Sequence, residues 1–159
     1  MADLDQTAKD ANHQPERTVT VLTVGDAADE HVSLRSILTH SNWRLFEAAS
    51  CAEARAILER QRVSVVVCDE LLPDGDWKQV LRTVEALPVS PPLIVTARNA
   101  DDLLWSEVLN LGGYDLLPKP FDFNEVVRAV GIAWLHWKDS LTLFHPARHA
   151  GELTASPLS

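Results

Sequence analysis

The sequence has few cysteines and no excess of basic residues, and each shortage excludes a class of protein. Only two cysteines, Cys51 and Cys68, occur in 159 residues, and they form no C-x-x-C pair. We therefore expect two buried thiols rather than a disulfide or a metal site. The 14 Lys and Arg are outnumbered by 23 Asp and Glu, which gives a net charge of −9. Such a charge argues against a nucleic-acid-binding surface, which needs clustered Lys and Arg.

Long apolar runs are also missing. No stretch approaches the ~18 apolar residues that a membrane span needs. The first residues, M-A-D-L-D-Q-T-A-K-D, lack the basic and then apolar pattern of a signal peptide. We predict a cytoplasmic protein that binds neither a membrane nor nucleic acid. Residues 1–17 are polar and aperiodic, which predicts a flexible leader, and residues 139–159 predict a tail with no output domain.

Between these ends, five apolar runs of strand length alternate with five stretches of helical periodicity. The predicted strands cover residues 18–24, 43–48, 63–68, 93–97 and 114–117. The predicted helices cover residues 28–40, 52–60, 77–87, 101–111 and 123–138. This alternation predicts an α/β fold with a parallel sheet between two layers of helices. Two doubly wound arrangements fit it: a mononucleotide-binding order and the flavodoxin-like order 2-1-3-4-5.

Four polar residues follow four of these strands. Asp26 follows the first strand, Asp69 the third, Thr96 the fourth and Lys119 the fifth. Because the carboxyl ends of parallel strands lie at one edge of the sheet, ligands bind there. Two close carboxylates repel each other unless a cation such as Mg²⁺ bridges them. With a hydroxyl and an ammonium group nearby, the set indicates phosphoryl transfer to a carboxylate nucleophile.

These residues and their neighbouring motifs resemble a response-regulator receiver domain over residues 18–138. The motifs are L-L-P-D-G-D after Asp69, T-A at the end of strand four, and G-G-Y-D-L-L-P-K-P-F around strand five. The resemblance implies a flavodoxin-like, doubly wound five-stranded parallel sheet of order 2-1-3-4-5 with helices on both faces. It also implies Mg²⁺ as cofactor and a histidine kinase or phosphotransfer protein as phosphoryl donor. The expected function is a phosphoacceptor in two-component phosphorelay signalling, with no enzymatic activity beyond its own phosphorylation.

The resemblance also implies a role for each site residue. Asp69 is the expected phosphoacceptor, and Mg²⁺ is expected on Asp26, Asp69 and the backbone carbonyl of Leu71. Thr96 is expected to bond the phosphoryl group and to shift towards it on activation. Lys119 is expected to pair with the phosphoryl oxygens, and the Lys119–Pro120 peptide is expected to be cis.

Two positions depart from the receiver pattern. Gly25 replaces the first of two adjacent acids after strand one, which predicts weaker Mg²⁺ binding. Leu116 occupies a switch position that is commonly Tyr or Phe, so activation must be transmitted without a rotating aromatic ring. These departures leave open an alternative function: a pseudo-receiver that acts as a phosphorylation-independent dimerisation or interaction module.

The tryptophans of helices four and five suggest an interaction face. Trp105, Trp134 and Trp137 add apolar surface beyond what one core needs. We expect a homodimer or a downstream protein to contact this face. The competing interpretation is that residues 139–159 fold back and cover it.

Two enzyme classes with a similar sheet fit poorly. Haloacid-dehalogenase-like phosphatases need a second aspartate two residues after the nucleophile, where this chain has Leu71. A flavodoxin needs a hydroxyl-rich phosphate loop after strand one, where this chain has the acidic G-D-A-A-D-E.

Overall fold

A computed structural model describes residues 18–25 and 28–144 of the chain. The strands are β1 (Thr20–Val24), β2 (Arg44–Ala48), β3 (Val65–Asp69), β4 (Leu71–Leu72), β5 (Gly75–Asp76), β6 (Leu93–Ala97) and β7 (Asp115–Pro118). The helices are α1 (Ala28–His40), α2 (Cys51–Arg60), α3 (Trp77–Glu85), α4 (Asp102–Leu111) and α5 (Phe123–Phe144). The expected leader, residues 1–17, and most of the expected tail lie outside the described residues.

Five strands form one parallel sheet in the order β2-β1-β3-β6-β7. Without the short strands β4 and β5, this order is the predicted 2-1-3-4-5, so the flavodoxin-like arrangement is confirmed and the mononucleotide-binding order is wrong. The order reverses between β1 and β3, which places their carboxyl ends at the switch point where ligands bind in such sheets.

The central strand β3 is apolar throughout because helices cover both of its faces. Val66 and Cys68 belong to the cluster of buried residues beneath α2, α3 and α4. Val65 and Val67 belong to the cluster beneath α1 and α5. All four side chains are at most 1% exposed, and each contributes about 1.5–3 kcal/mol of burial free energy. Asp69 ends this run because the next residues leave the core.

Local hydrogen bonds define where the helices begin. Ser50 accepts from the Glu53 amide at 3.1 Å at the start of α2, and Asp76 accepts from the Lys78 amide at 3.0 Å at the start of α3. Asp101 does the same for α4, at 2.9 Å from the Leu104 amide. These short polar side chains satisfy amides that have no partner within the helix.

Two elements of the fold differ from the sequence prediction. Strands β4 and β5 form a small antiparallel hairpin after Asp69 that was not predicted. Helix α5 continues to Phe144, so residues 139–144 are helical rather than part of a patternless tail.

None of the helices in the described part of the chain is both long enough and apolar enough to cross a membrane.

Candidate functional site

The sheet register places three of the predicted site residues together at its carboxyl edge. Asp69, the last residue of β3, lies opposite Thr96 of β6. Ala97 lies opposite Pro118 of β7, so Lys119 follows directly at the same edge. The Lys119 amide donates to the Ala97 carbonyl at 3.0 Å, which continues the ladder by one residue. The Lys119–Pro120 peptide is cis, as the resemblance implied.

The Thr96 hydroxyl and the Lys119 ammonium group converge on one oxygen of Asp69. Thr96 Oγ1 donates to Asp69 Oδ1 at 2.6 Å. Lys119 Nζ lies 2.9 Å from the same Oδ1. Both of these contacts fall on Oδ1, and neither hydrogen-bond donor is nearer to the second oxygen, Oδ2. The site therefore holds the carboxylate in a fixed orientation and leaves one oxygen for chemistry.

The site is largely shielded from water but still open. The side chains of Lys119 and Asp69 are 9% and 14% exposed, and Thr96 is 1% exposed. Charge-assisted hydrogen bonds in such surroundings are stronger than those at the surface. Removing one partner of a buried ion pair leaves an uncompensated charge, so Asp69 and Lys119 depend on each other.

The predicted metal ligand Asp26 lies outside the described residues. Strand β1 can be followed up to it: Val24 lies opposite Cys68, and the Gly25 amide donates to the Ala48 carbonyl at 2.9 Å. One further step along the register puts Gly25 beside Asp69. No group of three or more His, Cys, Asp or Glu side chains that could hold a metal ion occurs within the described ranges.

The groups in the described part of the site that could bind a metal ion are hard oxygen ligands. They are the Asp69 carboxylate and, as the resemblance implies, the backbone carbonyl of Leu71, the first residue of the hairpin. The Leu71 side chain is 73% exposed, so it does not cover the site from solvent. Oxygen ligands with room for several waters suit Mg²⁺ better than a softer metal.

The hairpin after Asp69 rests on the start of α2 through Asp74, a residue that sequence reasoning did not assign. Asp74 Oδ1 accepts from the Cys51 amide at 2.8 Å, and Oδ2 accepts from the Ala52 amide at 3.1 Å. The hydrogen bond from the Cys51 amide is the main cause that lowers the pKa of Asp74. The turn sequence P-D-G signalled a loop, but a contact across more than 20 residues has no local pattern.

Both thiols are held in their neutral form. Burial raises the pKa of Cys51 to about 11, and the neighbouring Asp74 carboxylate adds to the effect. Burial also raises the pKa of Cys68, which is fully buried. The prediction of a buried thiol is confirmed for Cys68, whereas Cys51 is only partly buried. Neither thiol is activated as a nucleophile.

Leu116, which departs from the receiver pattern at the switch position, is part of the hydrophobic core. Leu116 lies in β7 opposite Val95 and is 8% exposed. It belongs to the same buried cluster as Leu104 and Val108 of α4. A branched aliphatic side chain fills this space, and it offers neither a ring to rotate nor a hydroxyl to donate.

The predicted interaction face is wrong for Trp137, whereas for Trp105 and Trp134 it stays a prediction. Trp137 is 1% exposed, because this side of α5 packs into the core. Trp134 is half-buried against the cluster beneath α1 and α5, with the Lys138 ammonium 4.6 Å from its ring centre. Trp105 is 48% exposed on α4. Helical spacing in the sequence could not tell the buried positions of α5 from the exposed ones, because the apolar stripe of this helix is wider than its buried face.

The family comparison agrees with this geometry. The sequence model of the response regulator receiver domain matches residues 21–131, well over half of the chain. The chain belongs to the response regulator receiver domain family. The matched range contains Asp69, Thr96 and Lys119. Receivers of this family typically bind Mg²⁺ and interact with histidine kinases or phosphotransfer proteins.

Several relatives show how this receiver compares with longer and shorter proteins. It is 36% identical over 119 residues to the "Probable transcriptional regulatory protein TcrX" of Mycobacterium tuberculosis, with 74% of this chain and 49% of TcrX covered. The receiver thus spans about half the length of that relative. It is 24% identical over 110 residues to sporulation initiation phosphotransferase F of Bacillus subtilis, with 69% of this chain and 89% of the relative covered.

Solved structures of receivers have the same fold. The receiver domain of the sensor histidine kinase PA1611 from Pseudomonas aeruginosa aligns with a TM-score of 0.66 at 25% identity, covering 74% of this chain and 98% of its own. That structure is described with a magnesium ion coordinated in the active site cleft. A CheY-like receiver from Methanospirillum hungatei aligns with a TM-score of 0.69 at 20% identity, covering 77% and 98%.

Proposed function

We propose that this receiver accepts a phosphoryl group on Asp69 from a histidine kinase or phosphotransfer protein and signals through protein contacts. The observation that carries the proposal is the convergence of two donors on one oxygen of Asp69: Thr96 Oγ1 and Lys119 Nζ lie 2.6 and 2.9 Å from Oδ1. We further propose that it acts in the cytoplasm and catalyses no reaction beyond its own phosphorylation.

The chemistry follows from these contacts. Asp69 Oδ2 attacks the phosphorus atom in line with the leaving group, and an O–P bond forms as the P–N bond of the donor phosphohistidine breaks. The electron pair of that bond returns to the imidazole nitrogen. Lys119 carries the positive charge that offsets the growing charge on the phosphoryl oxygens, and Thr96 supplies a hydroxyl hydrogen bond.

The donor set fits a bound Mg²⁺. Asp69, the Leu71 carbonyl and, by resemblance, Asp26 would hold it, and its waters would leave room for phosphoryl oxygens. When bound, the ion neutralises negative charge that the single ammonium group of Lys119 cannot neutralise alone. Gly25 removes one nearby acid, so we propose that Mg²⁺ binds more weakly here than in receivers with two adjacent acids.

Incubation with acetyl phosphate and Mg²⁺, followed by a phosphate-affinity gel, tests the proposal. We expect a retarded band for the wild type and none for Asp69→Asn, because the amide is a poor nucleophile. Asp102→Asn is the matched control, since Asp102 is an exposed aspartate in the first turn of α4. It should be retarded like the wild type. A retarded band in Asp69→Asn would place the phosphoryl group on another residue.

A second candidate function is a pseudo-receiver that works as a phosphorylation-independent interaction module. The buried Leu116 favours it, because this side chain cannot act as a rotating aromatic switch. The Thr96 hydroxyl is, in addition, already hydrogen-bonded to Asp69 in the unphosphorylated chain. The same gel discriminates the two functions: a wild type that is not retarded at any Mg²⁺ concentration favours the pseudo-receiver.

We propose that exposed apolar side chains of α4 and α5 form the contact surface, most simply between two copies of the chain. Both helices pack against the edge strand β7. Trp105 and Leu109 of α4 and Ile132 and Leu135 of α5 are 38–53% exposed. Surface of this kind usually serves an interaction. The alternative cover, residues 139–159, falls mostly outside the described residues, and its first six residues continue α5.

A further inference from the structure

The hairpin that follows the phosphoacceptor has little hydrogen bonding of its own. Only Leu71 and Leu72 pair with Asp76 and Gly75. A two-stranded hairpin of this length is not stable in water by itself. The Trp77 amide closes the hairpin by donating to the Glu70 carbonyl at 3.1 Å. Something outside the hairpin must therefore fix its position.

The start of α2 provides that support. Both carboxylate oxygens of Asp74 are bonded to consecutive amides, Cys51 and Ala52. A carboxylate at a helix N-terminus also interacts favourably with the helix dipole. The lowered pKa of Asp74 agrees with a carboxylate that stays ionised in this contact. Among the described residues, no other hairpin side chain accepts a hydrogen bond from an α2 amide.

The rest of the α2 N-terminus is held by its own chain. Ser50 Oγ accepts from the Glu53 amide at 3.1 Å. In return, Glu53 Oε1 accepts at 2.8 Å from the amide of Ala49, the residue before the cap, in an arrangement similar to a capping box. Helix α2 therefore begins at Cys51 without help from the hairpin. The contribution of Asp74 is to attach the hairpin to an end that is already formed.

The β4–β5 hairpin and the start of α2 also approach each other closely next to the Asp74 contact. Cys51 Sγ lies 3.8 Å from the Asp76 carbonyl and 3.5 Å from Gln79 Oε1. A Cβ atom at Gly75 would collide with the Gln79 side chain and lie 3.3 Å from Cys51 Sγ. Glycine at this position allows the approach, so the hairpin rests on α2 over several residues rather than through one hydrogen bond.

We infer that Asp74 is a positioning residue of the phosphoacceptor site: it attaches the β4–β5 hairpin to α2 and so fixes the Leu71 carbonyl for the metal. The inference rests on the proposed function, because the position of this carbonyl matters to the chemistry only when a metal ion binds there. When a residue that does not bind the metal but holds one of its ligands in position is mutated, metal affinity typically falls 10–100-fold.

The test compares Asp74→Asn with Ser50→Ala. Asp74→Asn keeps the size of the side chain but turns an NH₂ group towards amide donors, so at most one of the two hydrogen bonds survives. Ser50→Ala weakens the same end of α2 through its local cap and leaves the contact with the hairpin in place. Two quantities are measured on the full chain: Mg²⁺ affinity by calorimetry, and amide hydrogen exchange of residues 71–76 in the metal-free protein.

For Asp74→Asn we expect Mg²⁺ to bind about tenfold more weakly and hairpin amides to exchange faster. For Ser50→Ala we expect faster exchange in α2, with Mg²⁺ affinity and hairpin exchange within about twofold of wild type. Equal effects of the two variants, or no effect of Asp74→Asn, overturn the inference. If the wild type binds no Mg²⁺, the proposed function fails, and the exchange rates in metal-free protein alone decide the role of Asp74.

Discussion

At the scale of single residues, the two carboxylate oxygens of Asp69 have different surroundings. Thr96 and Lys119 both lie within 3 Å of Oδ1, at 2.6 and 2.9 Å. An oxygen that accepts two strong hydrogen bonds has reduced electron density for attack on phosphorus. The other oxygen is therefore the better nucleophile, and the two donors also stop the carboxylate from rotating. Orientation of this kind lowers the entropic cost of reaching the transition state.

Replacement of Thr96 by valine tests the contribution of the hydroxyl. Thr96→Val preserves the shape of a fully buried side chain, so we expect the free energy of unfolding to fall by about 1.5–3 kcal/mol, the contribution of one hydrogen bond to a charged group. The rate of phosphorylation by acetyl phosphate should fall about tenfold, the effect of losing one charge-assisted hydrogen bond of about 1.5 kcal/mol. Stopped-flow tryptophan fluorescence or the phosphate-affinity gel measures this rate.

Thr23→Val is the matched control for this experiment. Thr23 is a buried strand threonine, 1% exposed, whose hydroxyl finds no hydrogen-bond partner among the described residues. Removing an unpaired buried hydroxyl should leave stability unchanged or raise it. The phosphorylation rate of this variant should equal that of the wild type. A similar loss of rate in both variants would mean that Thr96 acts through general packing of the sheet.

At the scale of secondary-structure elements, alanine substitutions at two glycines are expected to change the free energy of unfolding in opposite directions. Gly112 ends α4 with φ of 115°, and a Cβ atom there would lie 2.7 Å from Glu85 Oε2. Gly131 lies inside α5, where a Cβ atom would meet nothing within 4 Å. We expect Gly112→Ala to lower the free energy of unfolding by about 1–2 kcal/mol. Gly131→Ala should raise it by up to about 1 kcal/mol.

Urea denaturation of both variants measures these changes as shifts of the midpoint at constant slope. Each variant serves as the control for the other, because both substitutions add the same methyl group. A destabilising Gly131→Ala would show that α5 is constrained by a neighbour that the described residues do not include.

Sequence patterns predicted the elements whose stability is local, and missed those that depend on distant contacts. The apolar run of β3 identified a strand buried on both faces, and the order of Asp69, Thr96 and Lys119 identified the site edge. The β4–β5 hairpin could not be predicted, because it pairs two residues on each side and rests on α2. The end of α5 was predicted too early, since the polar Asp139 and Ser140 hide the buried Leu141 that follows.

At the scale of the whole molecule, two opposite sides of α4 face different neighbours. Glu107 pairs with Lys78 of α3 at 2.8 Å, so this flank of α4 faces α3. At 3.6 residues per turn, Trp105 lies on roughly the opposite flank, towards β7 and α5. Leu103, 81% exposed, lies one turn before Glu107 on the α3 side. The same helix therefore offers a test residue and a control residue.

Sedimentation with and without beryllofluoride, which mimics the phosphoryl group, tests the proposed dimer. We expect the wild type to dimerise when the mimic is bound and Trp105→Glu to stay monomeric, because burying an unpaired carboxylate at an interface is costly. Leu103→Glu introduces the same charge on the flank facing α3 and should dimerise like the wild type. A wild type that stays monomeric at all concentrations would exclude the homodimer and favour a different protein partner.

The length of α5 has a mechanical consequence. Trp137 lines a cleft with Val63 and Pro91, which precede β3 and β6, so the helix has reached the far edge of the sheet there and continues for two more turns. Its 22 residues make a rod of about 33 Å. A tilt of about 5° at its first turn, near the carboxyl edge of the sheet, would move Phe144 by roughly 3 Å. The length of α5 would thus turn a small change in angle at one end of the helix into a larger displacement at the other.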